Sequence, residues 1–144
     1  MALIQMISDT TTLRLNGHLF NDLAEGVAVE FESPNAATSR VNGASSNAVN
    51  IAPRSDRNVR VLKIRVQKGG ADDVFLNSAL NQSAPVVFNG STRDDYRRDG
   101  SAFSDAYTLE NGSITTQPTD SRNTQEHEGA MEYYIEFRNV VRNL

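Results

Sequence analysis

The sequence has no cysteine, no tryptophan and only two histidines, His18 and His127, among 144 residues. The lack of cysteine excludes disulfides, thiolate catalysis and cysteine-based metal sites, and two histidines are too few for a histidine-rich metal site. No apolar run approaches the roughly 20 residues of a membrane-spanning helix, and the first residues lack the basic leader of a signal peptide. We therefore expect a soluble, intracellular protein without cofactors or a membrane partner.

Basic charge and apolar residues are also scarce. The net charge is −4, which argues against a protein that binds nucleic acid by neutralising phosphates, although a surface that must avoid DNA remains compatible with it. Apolar residues make up 38% of the chain, a low share for a self-sufficient globule. We expect one domain, residues 1–144, that completes its burial against neighbouring subunits.

The clearest secondary structure is a strand over residues 59–67. Its apolar residues Leu62, Ile64 and Val66 alternate with polar ones, which is the period of two that a strand requires. A helix is predicted directly after it, at about residues 71–82, because apolar residues recur there at one-turn spacing. Asp72 stands at the start of this helix, where a carboxylate favours the positive end of the helix dipole, and it is expected to face water or a partner.

The rest of the chain indicates about seven strands, counting the one above, joined by long polar connections. Asn111-Gly112 is predicted to form a hairpin turn, and residues 34–57, 91–101 and 118–130 are predicted to be polar or charged loops. Taken together, the pattern predicts a mainly β fold, an antiparallel sandwich or barrel-like sheet with one helix. The predicted strands are residues 11–20, 27–32, 59–67, 86–88, 103–109, 113–116 and 131–140.

The possible catalytic groups do not form a convincing site. Glu126-His127-Glu128 is better interpreted as a solvated loop, because neighbours on an extended chain point to opposite sides. His18 lacks the Gly-x-Ser-x-Gly turn of a serine hydrolase. Asp94 and Asp95 could act as paired acids of a hydrolase, but Arg93, Arg97 and Arg98 neutralise them, and a salt-bridge network with another chain is the stronger interpretation. We therefore expect no enzymatic activity.

Acidic residues recur on the outward side of two predicted strands, Glu30 and Glu32 on one, Glu132 and Glu136 on the other. Carboxylates on a β surface repel a polyanion and let it slide past without binding. An ordinary solvated sheet face explains the same pattern, so the sequence leaves both interpretations open.

Several stretches of the chain follow one another in an order that a known family shares. The first are Val-Ala-Val-Glu-Phe-Glu-Ser-Pro-Asn at 27–35 and a loop that contains Gly43. They are followed by the aliphatic strand to Gln67, Gly70 and the helix Asp-Asp-Val-Phe-Leu-Asn-Ser-Ala-Leu. Further along, Glu-Asn-Gly-Ser-Ile-Thr-Thr-Gln-Pro at 110–118 precedes a polar loop and the closing strand at 131–140. In this order of elements, over about residues 10–140, the chain resembles the tail tube proteins of tailed bacteriophages, and the nearest likeness is to the tubes of contractile-tailed phages.

This resemblance implies a virion structural protein with the tail-tube fold. Hexameric rings would stack into a helical tube with a continuous β-barrel lumen for genome ejection. The implied partners are further copies of the chain, a tape-measure protein, a tail sheath protein, and baseplate and tail terminator proteins, while viral DNA passes without specific binding. The implied location is the virion tail, with assembly in the host cytoplasm.

By the same resemblance, residues 34–57 reach an adjacent ring, and residues 91–101 face a neighbour or the sheath. Lys63 and Arg65 are then expected to meet carboxylates of a neighbouring subunit. Glu30, Glu32, Glu132 and Glu136 are candidates for lining the lumen. The candidate contacts between rings or subunits are Pro34, Asn35, Arg40, Asn42, Gly43, Arg54, Asp56, Arg57, Arg93, Asp94, Asp95, Arg97 and Arg98.

Other functions remain open on the sequence alone. A tube protein of a type VI or other contractile secretion system would share the fold. A ligand- or carbohydrate-binding β module would need exposed aromatic residues in a groove, and the chain has only four tyrosines.

Overall fold

The computed structural model of the protein describes residues 1–7, 11–43, 49–123 and 128–144. Within these ranges the chain forms ten strands and one helix. In chain order they are β1 (Ile4–Met6), β2 (Thr12–Leu15), β3 (His18–Leu19), β4 (Val29–Glu32), β5 (Thr38–Asn42), β6 (Val49–Pro53), β7 (Arg60–Gln67), α1 (Ala71–Leu80), β8 (Phe88–Arg98), β9 (Ser101–Asn123) and β10 (Glu128–Asn143).

Eight strands form one antiparallel sheet, in the order β3-β2-β8-β9-β10-β7-β4, with β1 added to the far end of β8. The remaining two strands, β5 and β6, pair only with each other in a separate hairpin. All strand pairs in the described chain are antiparallel. The expected mainly β, antiparallel fold is confirmed.

The segment between β3 and β4 joins the two ends of the large sheet. At one end, the Phe20 amide donates to the Leu13 carbonyl of β2 at 3.0 Å. At the other end, the Gln67 amide donates to the Asp22 carbonyl at 2.8 Å, and the Ala24 amide donates to the Arg65 carbonyl at 2.9 Å. One continuous stretch of chain therefore satisfies backbone groups on both edge regions, which makes the sheet barrel-like and leaves less open edge.

The core lies on the inner face of this sheet, under α1. The predicted positions Leu62, Ile64 and Val66 of β7 are all fully buried, as is Leu76 of the helix. β10 contributes Tyr133, Ile135, Phe137 and Val140 to the same cluster, and β2, β8 and β9 complete it with Leu13, Leu15, Phe88 and Leu109. The period of two thus correctly predicted the buried side of β7.

Several of the predicted loops and turns are strands instead. Residues 91–98 are not a loop, because β8 continues through them to Arg98 and pairs with β9 along its length. Asn111-Gly112 is not a hairpin turn either, since β9 runs on to Asn123. Asn111 has a positive φ of 54°, a conformation that asparagine tolerates and that fits an irregular point within a strand.

Gly112 has a packing role that a turn would not require. It pairs with Phe88 of β8 on one side and with Phe137 of β10 on the other. A Cβ at this position would lie 2.4 Å from the Phe137 ring. The absence of a side chain therefore lets the Phe137 ring of β10 cover this point of β9.

The predicted loop at residues 118–130 is largely strand. The end of β9 and the start of β10 pair from Asp120 with Met131 to Asn123 with Glu128. The reason is that the long β9–β10 ladder extends past the core, so backbone pairing holds polar residues in strand conformation there. Residues 124–127 lie outside the described chain.

Candidate assembly surfaces

The four candidate lumen acids lie on one outer face of three adjacent strands. Residues directly opposite each other in a ladder point to the same side of the sheet. Glu30 of β4 is opposite Lys63 of β7, and Glu132 of β10 is opposite Arg65 of β7. Glu32 and Glu136 are both opposite Val61, from the two sides of β7. We name this surface, formed by β4, β7 and β10, the charged face.

The charged face is not a pure row of carboxylates. The Lys63 ammonium lies 2.9 Å from Glu32 Oε1, and the hydrogen bond to Glu32 raises the pKa of Lys63, with further support from Glu30 and Glu132. The sequence predicted a neighbouring subunit's carboxylate for Lys63, whereas the structure pairs it with Glu32 of its own chain. Strand alternation also puts Arg138 on this side, so four acids meet three bases and leave an excess of one negative charge.

The β5–β6 hairpin stands outside the main sheet, and all ten of its strand residues are exposed. Three of them are large and apolar: Val41 is 62% exposed, Val49 44% and Ile51 63%. Within the predicted long loop at residues 34–57, Thr38–Asn42 and Val49–Pro53 are therefore strands, and the backbone groups that face each other across this pair are hydrogen-bonded. Isolated hairpins are marginal in water without a packed face, so this one has apolar surface still to bury.

The base of the hairpin is fixed by its own chain. The Arg54 guanidinium donates two hydrogen bonds to the Asp56 carboxylate, Nε to Oδ1 at 2.9 Å and Nη2 to Oδ2 at 3.0 Å. This contact lowers the pKa of Asp56. The Asn35 amide donates to the Asp56 carbonyl at 3.2 Å. These three candidate contact residues hold the hairpin in place. The other candidates of this region, Pro34, Arg40, Asn42 and Arg57, are exposed, and Gly43 at the end of β5 is half-buried.

The β8–β9 hairpin extends beyond the core and carries the second candidate cluster. Asp95 accepts from Ser104 Oγ at 2.7 Å and from Arg93 Nε at 2.9 Å, and these two bonds lower its pKa. Asp94, on the opposite side of the strand, has a buried Oδ1 without a hydrogen-bond partner among the described residues.

The last two candidates of the cluster lie near the tip of β8, where its backbone pairs with β1. Arg97 is opposite Gln5 and Arg98 is opposite Ile4. Both arginine side chains are exposed. Ile4–Met6 therefore form an edge strand beside the tip of β8.

A groove of about 790 Å³ lies at this end of the molecule. Tyr96 and Phe103 stack on each other in its wall, with ring centroids 5.4 Å apart. Arg142 and Asp105 form a two-bond ion pair beside them, at 2.9 and 2.7 Å. The groove is completed by Ile4, Arg98, Asp99, Ser101, Ala102 and Leu144. We name this feature the terminal groove.

A buried polar network fastens α1 to the N-terminal strands. Asp72 is 1% exposed within its own chain, so the prediction that it faces water or a partner was wrong. Its Oδ1 lies 2.7 Å from His18 Nε2, and its Oδ2 accepts from the Asp22 amide at 2.6 Å. The His18 ring stacks on Phe75 at 4.3 Å. Both carboxylate oxygens are occupied by these contacts, which is the arrangement of a structural clamp. The 54 residues that separate His18 from Asp72 explain why no local pattern indicated the pair.

The neighbouring Asp73 ties the same helix to the sheet. It accepts from the Gly69 amide at 2.9 Å and from the Tyr133 hydroxyl at 2.7 Å. Burial and the adjacent Asp73 carboxylate raise the pKa of Tyr133. Asp72 and Asp73, both in the first turn of α1, thus act through side-chain and backbone partners as well as through the helix dipole.

Within the described ranges, no group of three or more histidine or acidic side chains is placed to hold a metal ion. No described helix is long and apolar enough to cross a membrane. Of the candidate cluster Glu126-His127-Glu128, the first two residues and the third side chain lie outside the described residues. Neither the models of known protein families nor the curated proteins contain a match to this chain.

Proposed function

We propose that this protein is the subunit of a hollow tube, of the type that forms the inner tail tube of a bacteriophage. Hexameric rings of the chain stack into a channel for genome delivery, with a tape-measure protein inside during assembly and a sheath outside. Baseplate and terminator proteins close the ends. In this function the chain is structural and has no catalytic role.

One observation carries the proposal: β5 and β6 pair with each other outside the main sheet, yet all ten of their residues are exposed. A pair of short strands gains little stability by itself from folding. Val41, Val49 and Ile51 stay exposed to water in the isolated chain, whereas apolar residues of the main sheet are buried in the core. A hairpin of this composition is suited to lie on another subunit. Long exposed strands of this kind would otherwise promote aggregation.

The charged face supports the same function. It is a continuous surface of three paired strands, long enough to serve as the wall of a channel when copies stand side by side. Its small excess of negative charge repels DNA weakly, and its intrachain ion pair leaves Lys63 already neutralised. Because the acids of the charged face outnumber its bases by one, a passing polyanion is not held there by net charge.

Two other functions have the same β framework. A tube of a contractile secretion system would assemble in the same way, and only its sheath and cargo would differ. A carbohydrate-binding module would use aromatic rings to stack on a sugar, but Tyr96 and Phe103 in the terminal groove stack on each other.

The proposal is tested by replacing residues 38–53 with a short Gly-Ser linker and comparing the variant with the unaltered protein by sedimentation velocity over a range of concentrations. We expect the unaltered protein to form rings or tubes as concentration rises. The variant should stay monomeric with an unchanged circular dichroism spectrum for the main sheet. If the unaltered chain remains monomeric, or if the variant assembles equally well, the proposal is wrong.

A further inference from the structure

Four asparagines of the chain are followed directly by glycine: Asn16, Asn42, Asn89 and Asn111. Such a pair is reactive without an enzyme, because no side chain on the glycine hinders its amide nitrogen from attacking the side-chain carbonyl carbon of the asparagine. The attack requires enough backbone freedom to bring these two atoms into contact. All four asparagines are exposed, so access of water does not distinguish them, and the restraint on each backbone decides which one reacts.

Three of the four asparagines are bonded to one another across the β2–β3 turn, β8 and β9. The Asn89 backbone amide donates to Asn16 Oδ1 at 2.9 Å, and the Asn111 backbone amide donates to Asn89 Oδ1 at 3.0 Å. Asn16 Nδ2 also donates to the Val87 carbonyl at 3.0 Å. These bonds fix the side-chain amides of Asn16 and Asn89, so neither turns freely toward the glycine that follows it.

The glycines after Asn89 and Asn111 are restrained by the main sheet. Gly90 of β8 pairs with Leu15 on one side and with Leu109 on the other. Gly112 of β9 is buried under the Phe137 ring. Rotation of the backbone at either glycine requires strands of the core to separate, which is among the most costly openings of a fold.

The fourth pair, Asn42-Gly43, lies at the end of the β5–β6 hairpin. Asn42 is the last residue of β5, and its cross-strand neighbour is Val49 of β6. Both strands pair only with each other, and all ten of their residues are exposed. An isolated pair of strands is marginally stable in water, so its end opens at a low cost in free energy. Gly43 follows the strand, and rotation there leaves the core intact.

We propose that Asn42 is a site of spontaneous covalent modification, at which the folded chain converts asparagine to aspartate and isoaspartate. The Gly43 amide nitrogen loses its proton to a hydroxide ion and forms a bond to Asn42 Cγ. The Cγ–Nδ2 bond breaks, and the nitrogen leaves as ammonia after it takes a proton from water. Water then opens the cyclic imide at either carbonyl carbon, which gives the two acids.

The product changes the charge of the hairpin. Arg40 is the only charged residue in its two strands, so a carboxylate at position 42 brings the net charge of these strands to zero. Isoaspartate also lengthens the main chain by one carbon at the end of β5, where Asn42 pairs with Val49. The reaction occurs within a single chain, so it is expected whether or not the chain assembles into a tube.

Mass spectrometry of the folded protein after incubation at mildly alkaline pH tests the assignment. Trypsin places the four Asn-Gly pairs in four different peptides, residues 15–40, 41–54, 69–93 and 99–122, so each rate is measured separately. We expect Asn42 to convert at least about tenfold faster than each of the other three, since local opening differs strongly between the hairpin and the main sheet. Conversion of any of the other three as fast as Asn42 would overturn the assignment.

The same incubation in concentrated urea shows whether the fold causes the difference. Without the sheet and its hydrogen bonds, the four rates should agree to within about threefold, because all four pairs then have similar local freedom. A preference for Asn42 that is unchanged in urea would come from the local sequence, and the structural assignment would be wrong.

A variant pair tests the role of Gly43. Gly43→Val should slow conversion of Asn42 by at least about tenfold, because a branched side chain hinders the attacking amide and restricts its backbone. Ala52→Val, which adds the same branched side chain at an exposed position of β6, is the control and should leave the rate unchanged. Equal rates of conversion for the two variants would exclude attack by the Gly43 amide.

Discussion

Truncation of Ile51 tests whether the hairpin buries its apolar surface only on assembly. Ile51→Ala removes three carbons, which are worth about 2.4 kcal/mol when fully transferred out of water at roughly 0.8 kcal/mol each. Because the residue is 63% exposed in the isolated chain, about 1.5 kcal/mol of this remains to be gained on docking. In the monomer, where Ile51 has little packing, the free energy of unfolding should change by less than about 0.5 kcal/mol.

The expected consequence is about a tenfold increase in the concentration at which half of the protein is assembled, since 1.4 kcal/mol corresponds to a factor of ten. Light scattering against protein concentration measures this midpoint, and urea unfolding of dilute protein measures the monomer. Val87→Ala is the matched control, because Val87 is similarly exposed at 54% but lies outside the hairpin. An unchanged assembly midpoint, or a loss of monomer stability that accounts for the shift, would refute the reasoning.

Three further predictions concern the subunit itself. Gly112→Ala should destabilise the subunit by about 1 to 3 kcal/mol in urea unfolding, because the new methyl would overlap the Phe137 ring. An unchanged free energy of unfolding would contradict the packing role of Gly112. Asp72→Ala should cost about 2 to 4 kcal/mol in the same assay, since it leaves two hydrogen-bond donors without their acceptor, and a change below 1 kcal/mol would show that the clamp is dispensable. Arg142 lowers the pKa of Asp105, so this pair stabilises the fold above the ordinary aspartate pKa and loses that contribution as pH falls through the folded value. The stability difference between the protein and Arg142→Gln should therefore shrink on acidification, and a difference independent of pH would contradict the assignment.

The elements that could be predicted from the sequence are those whose signal is local. The period of two at residues 59–67 correctly placed Leu62, Ile64 and Val66 in the core, and one-turn spacing correctly predicted α1. Alternation also predicted that Glu30 and Glu132 face outward. These successes follow from the strict geometry of strands and helices, which fixes the side that each residue occupies.

What the sequence could not supply depends on strand order. Asn111-Gly112 has the composition of a turn, but the Phe88 and Phe137 rings on flanking strands make Gly112 a packing site. Asp72 appeared solvent-facing on a helix wheel, yet His18, from a strand 54 residues away, buries it. In each case a long-range contact overrides the local preference, and one sequence contains no record of that contact.

The same limitation applies to the surfaces. Alternation shows that Lys63 is outward, but only the register of β4 on β7 shows that Glu32 lies within 2.9 Å of its ammonium. The groove likewise depends on pairing between Tyr96 and Phe103 across the β8–β9 ladder. Candidate residues were thus identifiable by type, whereas their partners were not.

Cryo-electron microscopy of the concentrated protein tests the tube proposal most directly. We predict closed rings or stacked tubes with a central channel, whose wall is the charged face of β4, β7 and β10, and with the β5–β6 hairpin of each copy seated on another copy. Dispersed monomers at every concentration, or an assembly in which the charged face lies on the outside and no channel is present, would contradict the account.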